Sequence, residues 1–156
     1  MVARADAPDR RQADGLRVAP VEPGDALRWG AVMMLANGMP EEHYAEMTAA
    51  SAVHPDWHPY AAWLDGELVG TGTMYRNGET AQMFGGAVLP HARNRGGQTE
   101  LLVARVRRAA EQGCRLLVAE TGTKTEGSHN SSLHNMLGLR FQVAYERRNW
   151  VWKPAP

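Results

Sequence analysis

The chain has a single cysteine, Cys114, so no internal disulfide can brace it, as expected for a reducing compartment. Cys114 opens an apolar run and is read as core. An excess of either charge is also lacking: 17 Lys and Arg stand against 17 Asp and Glu, a formal net charge of zero. Nothing global therefore attracts nucleic acid or an acidic membrane. No apolar stretch approaches the roughly 18 residues of a membrane span, and the segment from Met1 to Arg11 carries charge where a signal peptide needs an apolar centre. These absences point to a soluble cytoplasmic protein. With 156 residues, 44% hydrophobic and 22% charged, and with no internal repeat, the chain has the makings of one globular domain with a real core. Residues 1–14, rich in Ala, Asp and Arg, read as a flexible N-terminal tail, and residues 15–156 as the domain.

The order of elements follows from periodicity and punctuation. Leu16 to Pro20 suits a first strand. Asp25 is placed as a helix N-cap ahead of Leu27, Trp29, Val32, Met33 and Leu35, and Asn37-Gly38 stops that helix. A second helix is predicted from Pro40-Glu41-Glu42, with Tyr44, Met47 and Ala50 on one side. His54 and His58 invite a metal, but Pro55 between them breaks the helical face they would need to share, and no metal is expected. Tyr60 to Tyr75 reads as a hairpin turning at Asp65-Gly66, and Arg76-Asn77-Gly78 turns the chain into a third strand, Ala81 to Leu89. Gly85-Gly86 within that strand permits a bulge or a close approach by a ligand. A helix from Gln98 to Gly113 carries Leu101, Leu102, Val106, Ala109 and Ala110 on one stripe. It crosses over to a buried parallel strand, Arg115 to Glu120. After a polar loop from Thr121 to His129 come a short helix near Ser131 to Leu139 and two strands, Phe141 to Glu146 and Asn149 to Trp152. Trp29, Trp63, Trp150 and Trp152 fall on apolar faces and read as core, which leaves Trp57 as the better pocket residue.

The stretch from Gly86 to Leu102 carries the chemistry. An apolar strand runs out at Pro90 and opens through Arg93-Asn94-Arg95-Gly96-Gly97 into a helix. Without Cβ atoms, Gly96 and Gly97 let successive N–H groups converge, and the helix adds its unpaired amides and the positive end of its dipole. Such a loop binds phosphate. Between His91 and Arg115, Arg93, Arg95, Arg105, Arg107, Arg108 and Arg115 outnumber Glu100 and Glu111, which suits a ligand with several phosphates. A Walker-type nucleotide loop is disfavoured, because the Gly-Lys-Ser/Thr ending is missing.

That stretch resembles the acyl-CoA loop of GCN5-related N-acetyltransferases (the GNAT family), whose signature is Arg or Gln, two residues, Gly, one residue, then Gly or Ala. Arg93, Gly96 and Gln98 take those places, and Gln98 departs from the usual small residue. A second segment is similar too: Glu120-Thr121-Gly122, then Asn130 to Met136 and Phe141 to Trp150, with Ser131 and Arg140 replacing the family's proline and glycine. The resemblance covers roughly residues 16–152. It implies an α/β (α+β) fold: a mixed twisted sheet of six or seven strands with about four helices, in the order β-α-α-β-β-β-α-β-α-β-β.

The resemblance further implies an N-acetyltransferase that moves an acetyl group from acetyl-CoA to a primary amine of a small molecule or amino acid by direct attack. The pantetheine arm would pair with the backbone of Gly86, Ala87 and Val88, and the pyrophosphate would sit on the amides of Asn94, Arg95, Gly96, Gly97, Gln98 and Thr99. Asn130 matches a family asparagine that meets the CoA arm and also suits a helix N-cap; Asn135, in the same helix, is a second cofactor contact. Candidate bases are Glu79, Glu120, His58 and His129. The family tyrosine that protonates the leaving thiolate falls at Met136 or Leu137, so Ser132, Tyr145 or water would replace it. The missing tyrosine also admits a non-catalytic acyl-CoA-binding module. The expected partners are a small-molecule amine and, as an open alternative, a second copy in a homodimer.

Overall fold

The computed structural model describes residues 1–6, 14–39, 42–124, 127 and 130–153. Six strands form one sheet: β1 (Val2–Arg4), β2 (Leu16–Pro20), β3 (Trp57–Leu64), β4 (Glu67–Asn77), β5 (Thr80–Val88) and β6 (Leu116–Ala119), in the spatial order β1-β6-β5-β4-β3-β2. All neighbours are antiparallel except β5 and β6. The β5–β6 pair is parallel because α3 (Gly97–Glu111) crosses over between them, as the sequence predicts. The β3–β4 hairpin turns at Asp65-Gly66, with φ of 51° and 86°. Two successive positive φ values twist the strands in the native sense, and an Asp-Gly pair adopts them readily. Pro59 sits inside β3, whose start at Trp57 precedes the expected Tyr60.

Helices cover the two faces of the sheet. The alternation along β3 sends Ala61 toward α1 (Ala26–Ala36) and α2 (Glu42–Ala50), where it packs with Trp29, Met33 and Ala45. Ala62 points to the other face, packing with Val88 and Leu101 of α3. Farther along that face Met83, Leu102, Val106, Cys114, Leu117, Met136 and Phe141 form the largest core cluster. Cys114 is core, as expected.

The first two helices meet through small residues, which the sequence does not announce. A Cβ on Gly30 would run into the carbonyl of Ala45, so α1 lies almost backbone to backbone on α2. Ala45 is the residue α2 buries, while Tyr44 and Met47 stay 44% and 65% exposed, against the expectation that they form its inner face. Asp25 stands at the cap of α1 but its side chain makes no capping bond, the chain entering through the turn Pro23–Asp25. Pro40 and Glu41, the predicted start of α2, lie outside the described residues. Gly30→Ala is expected to wedge the pair apart and cost about 1–3 kcal/mol, a fall of several degrees in Tm. An unchanged Tm would show that the helices slide freely.

The sheet edge next to β6 differs from expectation. Residues 2–4, assigned to a flexible tail, form β1 and pair with β6 through Val2–Val118, Ala3–Leu117 and Arg4–Leu116; residues 7–13 of that tail lie outside the described residues. The two strands expected at the C-terminus do not form. Gln142 makes one isolated bridge to Val2, and the chain beyond it follows no regular element through Lys153. Trp150 and Trp152, expected in the core, are 84% and 82% exposed.

Candidate functional site

The parallel pairing of β5 with β6 ends at Met83 and Ala119, whereas β5 continues to Val88. From Phe84 to Val88 the edge facing β6 has no strand partner among the described residues. The sheet therefore splits, and two cavities occupy the wedge. The larger, about 520 Å³, runs from Gly86, Ala87 and Val88 to the loop at Arg93, Asn94, Gly96, Gln98 and Thr99. Its opposite wall is α4 (Ser131–Gly138), through Ser131, Ser132, His134 and Asn135, with Ala36 and Asn37 from the end of α1. The smaller, about 180 Å³, shares Gly86, Gln98, Ser132 and Asn135 and reaches down to Met83, Phe84, Leu102, Arg105, Glu120 and Met136.

The loop has the backbone shape an anion site needs. Asn94 and Gly96 hold φ of 62° and 81°, and no side chain caps the N-terminus of α3. Alternating left-handed residues turn neighbouring N–H groups to one side, and the free first-turn amides add to them. Gly97 is buried against the strand, where a Cβ would lie 3.5 Å from Val88, an ordinary contact. Arg93 folds back, its Nε donating to the Val88 carbonyl at 3.2 Å. Apart from Arg95, within the loop, the other arginines of this stretch do not gather here. Arg108 and Arg115 form ion pairs with Glu111 and Glu79, each at 3.5 Å, and Arg105 is buried under the sheet. The local positive excess is spread along α3 rather than focused on the loop.

The side chain of Gln98 lies across the wedge. Its Nε2 donates to the Gly86 carbonyl at 3.5 Å, and its Oε1 accepts from Asn135 Nδ2 at 3.1 Å. Asn130 caps α4 by accepting from the Leu133 amide at 2.9 Å while its Nδ2 donates to the Gly122 carbonyl at 2.6 Å. It and the exposed Arg95 are absent from both cavity walls.

The structure separates the candidate catalytic groups. Glu79 sits in the turn before β5, at the far end of that strand from Val88, with its carboxylate beside Arg115. His58 is in β3 opposite Met74, toward the same end; burial first, and Arg108 second, hold its pKa below the usual imidazole value. His129 lies outside the described residues. Tyr145 is 71% exposed and lines a third cavity with Glu120 and Arg147, outside the wedge. Ser132 faces both wedge cavities, and Glu120 faces the smaller one, its carboxylate accepting from Arg147 at 2.9 Å. Met136 is buried against the smaller cavity while Leu137 is half exposed, so the wedge wall is apolar where a phenol would stand. Trp57 packs edge-on against Phe84 with centroids 5.0 Å apart and tilts against Tyr75. Among the described residues, no group of three or more His, Cys, Asp or Glu could hold a metal, and no helix is long and apolar enough to cross a membrane.

Sequence reasoning missed Asn37 and Arg105. Asn37 was legible only as a helix stop. Arg105 had a signal, since it lies three and four residues from Leu102 and Leu101 on the buried stripe of α3.

Comparison with known proteins gives this wedge a context. The model of the acetyltransferase (GNAT) family matches residues 29–131. No curated protein sequence matches the chain significantly. Among solved structures, AAC(6')-Iy in complex with the bisubstrate analog CoA-S-monomethyl-acetylneamine superposes with a TM-score of 0.69 at 18% identity, over 90% of this chain and 99% of the other. The aminoglycoside N-acetyltransferase AAC(6')-Iy in complex with CoA gives 0.69 and 18%, over 95% and 100%. An aminoglycoside acetyltransferase from an uncultured soil metagenomic sample gives 0.64 and 20%, over 87% and 99%. These likenesses agree in the fold, and the family model spans β3 to β6, the loop and α3: the chain belongs to the acetyltransferase (GNAT) family.

Proposed function

We propose that the protein is a single-domain, cytoplasmic N-acetyltransferase that moves an acetyl group from acetyl-CoA to the primary amine of a small molecule. The observation that carries this reading is the unpaired edge of β5 from Phe84 to Val88 running straight into the left-handed Asn94–Gly96 loop. An extended pantetheine arm adds to such an edge as a strand would. The pyrophosphate then meets the amides of residues 94–99 at the α3 N-terminus. Gln98 must release the Gly86 carbonyl as the arm enters, and Asn135 is placed to receive either partner.

The acceptor amine has to lose a proton before it attacks. With a pKa near 10.4, about one alkyl amine in 2,500 is neutral at pH 7, a cost of roughly 4.6 kcal/mol. Glu120 is the carboxylate that faces the smaller cavity, and we assign it the role of base. The amine nitrogen then bonds to the thioester carbon, and the tetrahedral oxyanion collapses with loss of the CoA thiolate, which takes up the proton that the nitrogen gives up. A thiol with a pKa near 8.5 leaves without a strong acid, which suits a wall where Met136 replaces a proton donor. The structurally similar aminoglycoside acetyltransferases support a small-molecule amine as acceptor.

Met136 also supports a second reading, an acyl-CoA-binding module without turnover. One pair of measurements separates the two. Thermal unfolding with acetyl-CoA at 100 times its dissociation constant is expected to show about 2.7 kcal/mol of added stability, several degrees in Tm, with no shift from ATP or NAD. Release of free CoA in the presence of an amine panel then marks the enzyme. A shift without release marks the module, and no shift removes both.

A further inference from the structure

The most unusual side chain near the wedge is Arg105. Only 3% of it is exposed, and its guanidinium faces no carboxylate among the hydrogen bonds and ion pairs of the described residues. Burial lowers its pKa to about 10, so it is still a cation at neutral pH. Backbone carbonyls solvate it instead. Nε donates to Leu101 on its own helix at 2.9 Å, and Nη1 donates to Thr73 of β4 at 3.1 Å and to Phe84 of β5 at 3.0 Å.

Those two strand carbonyls mark a fault in the ladder. Thr73 pairs with Phe84 and Thr71 pairs with Ala87, so Gly72 alone opposes both Gly85 and Gly86. The extra residue is a β-bulge, and it rephases β5. Met83 and Val88 are five apart, which in a regular strand would put them on opposite faces, yet both pack on the α3 side. Beyond the bulge the strand edge is re-aimed into the wedge. Space for the guanidinium is made by two glycines: a Cβ on Gly72 would stand 2.8 Å from Cζ, and one on Gly86 would stand 3.2 Å from Nη2. Gly72, Gly86 and Arg105 thus form one device drawn from three elements.

We propose that Arg105 is a positioning residue that pins this bulge and so presents the Gly86–Val88 edge to the pantetheine arm of acetyl-CoA. The inference rests on the cofactor reading above, and it concerns only the pantetheine half of the ligand. The α3 N-terminus and its loop hold the nucleotide half through their own backbone shape. Without the guanidinium, the Thr73 and Phe84 carbonyls lose their shared donor and the bulge relaxes.

The test compares acetyl-CoA with 3′-phosphoadenosine 5′-diphosphate, which lacks the pantetheine arm, by calorimetry on full-length protein checked for a cooperative unfolding transition. Arg105→Met is expected to weaken acetyl-CoA at least tenfold while the nucleotide binds within twofold of wild type. Arg105→Lys, which keeps the charge but loses the Nε bond to Leu101 that fixes the guanidinium's orientation, is expected to fall between. Should Arg105→Met not fold, Gly72→Ala displaces the guanidinium from a position that lines neither wedge cavity, and the same selective loss is expected. Equal losses for both ligands, or acetyl-CoA affinity within twofold of wild type in a folded variant, would overturn the proposal. Wild-type protein that binds neither ligand would remove the cofactor reading and this inference with it, an outcome distinct from unchanged variants.

Discussion

Gly96→Glu is expected to abolish acetyl-CoA binding in a protein that still folds. Gly96 holds φ of 81° ahead of the first turn of α3, a conformation that costs a side-chain-bearing residue about 1–2 kcal/mol. A domain with roughly 5–15 kcal/mol of stability tolerates that loss. The binding site does not. The new carboxylate is local to the first-turn amides, so it can satisfy the donors that a pyrophosphate would use, and its charge opposes the incoming anion. The expected loss is over 100-fold in affinity, about 2.7 kcal/mol or more. Gly96→Ala separates the causes, since it carries the backbone strain without the charge and should lose far less. Calorimetry on both variants, with unfolding curves beside it, decides the matter. Affinity within threefold of wild type in folded Gly96→Glu would take the loop out of the cofactor site.

Much of this site was legible because its determinants are local. The Asp65-Gly66 turn, the Gly85-Gly86 bulge and the left-handed Gly96 each follow from what glycine and its neighbours permit, and the structure puts positive φ at all three. The parallel β5–β6 pair follows from one helical crossover. What was illegible depends on partners far along the chain. β1 has three residues, too few for any periodicity, and exists because β6 offers it an edge more than a hundred residues away. The C-terminal strands are the same case seen from the other side: their pattern is apolar enough, but among the described residues only Gln142 finds a partner, through one bridge to Val2. α2 misled because a Gly30–Ala45 contact buries its smallest residues, where a hydrophobicity count points to its largest. Arg105 is counted by its charge among the arginines that suit a phosphate ligand, although its helical position is that of the core.

Glu120→Gln is expected to lower kcat/KM at pH 7 by about 100- to 1,000-fold while leaving acetyl-CoA affinity within twofold, the magnitude typical of losing a general base. Glu120 follows Ala119, the last residue of β6 to pair with β5, so the point where the sheet splits puts it on the wall of the smaller cavity. Arg147 holds one oxygen at 2.9 Å, which leaves the other for the acceptor's ammonium group. The amide keeps the size and the contact with Arg147 but takes no proton. Its deficit should therefore shrink as pH rises toward 10, because the amine reaches its neutral form in solution and needs the base less. Arg147→Ala serves as the control: an ion pair this exposed contributes little, and the variant should retain most of its activity. A constant deficit across pH would mean that Glu120 orients the amine without deprotonating it. Full activity in Glu120→Gln would mean that the amine loses its proton without this carboxylate.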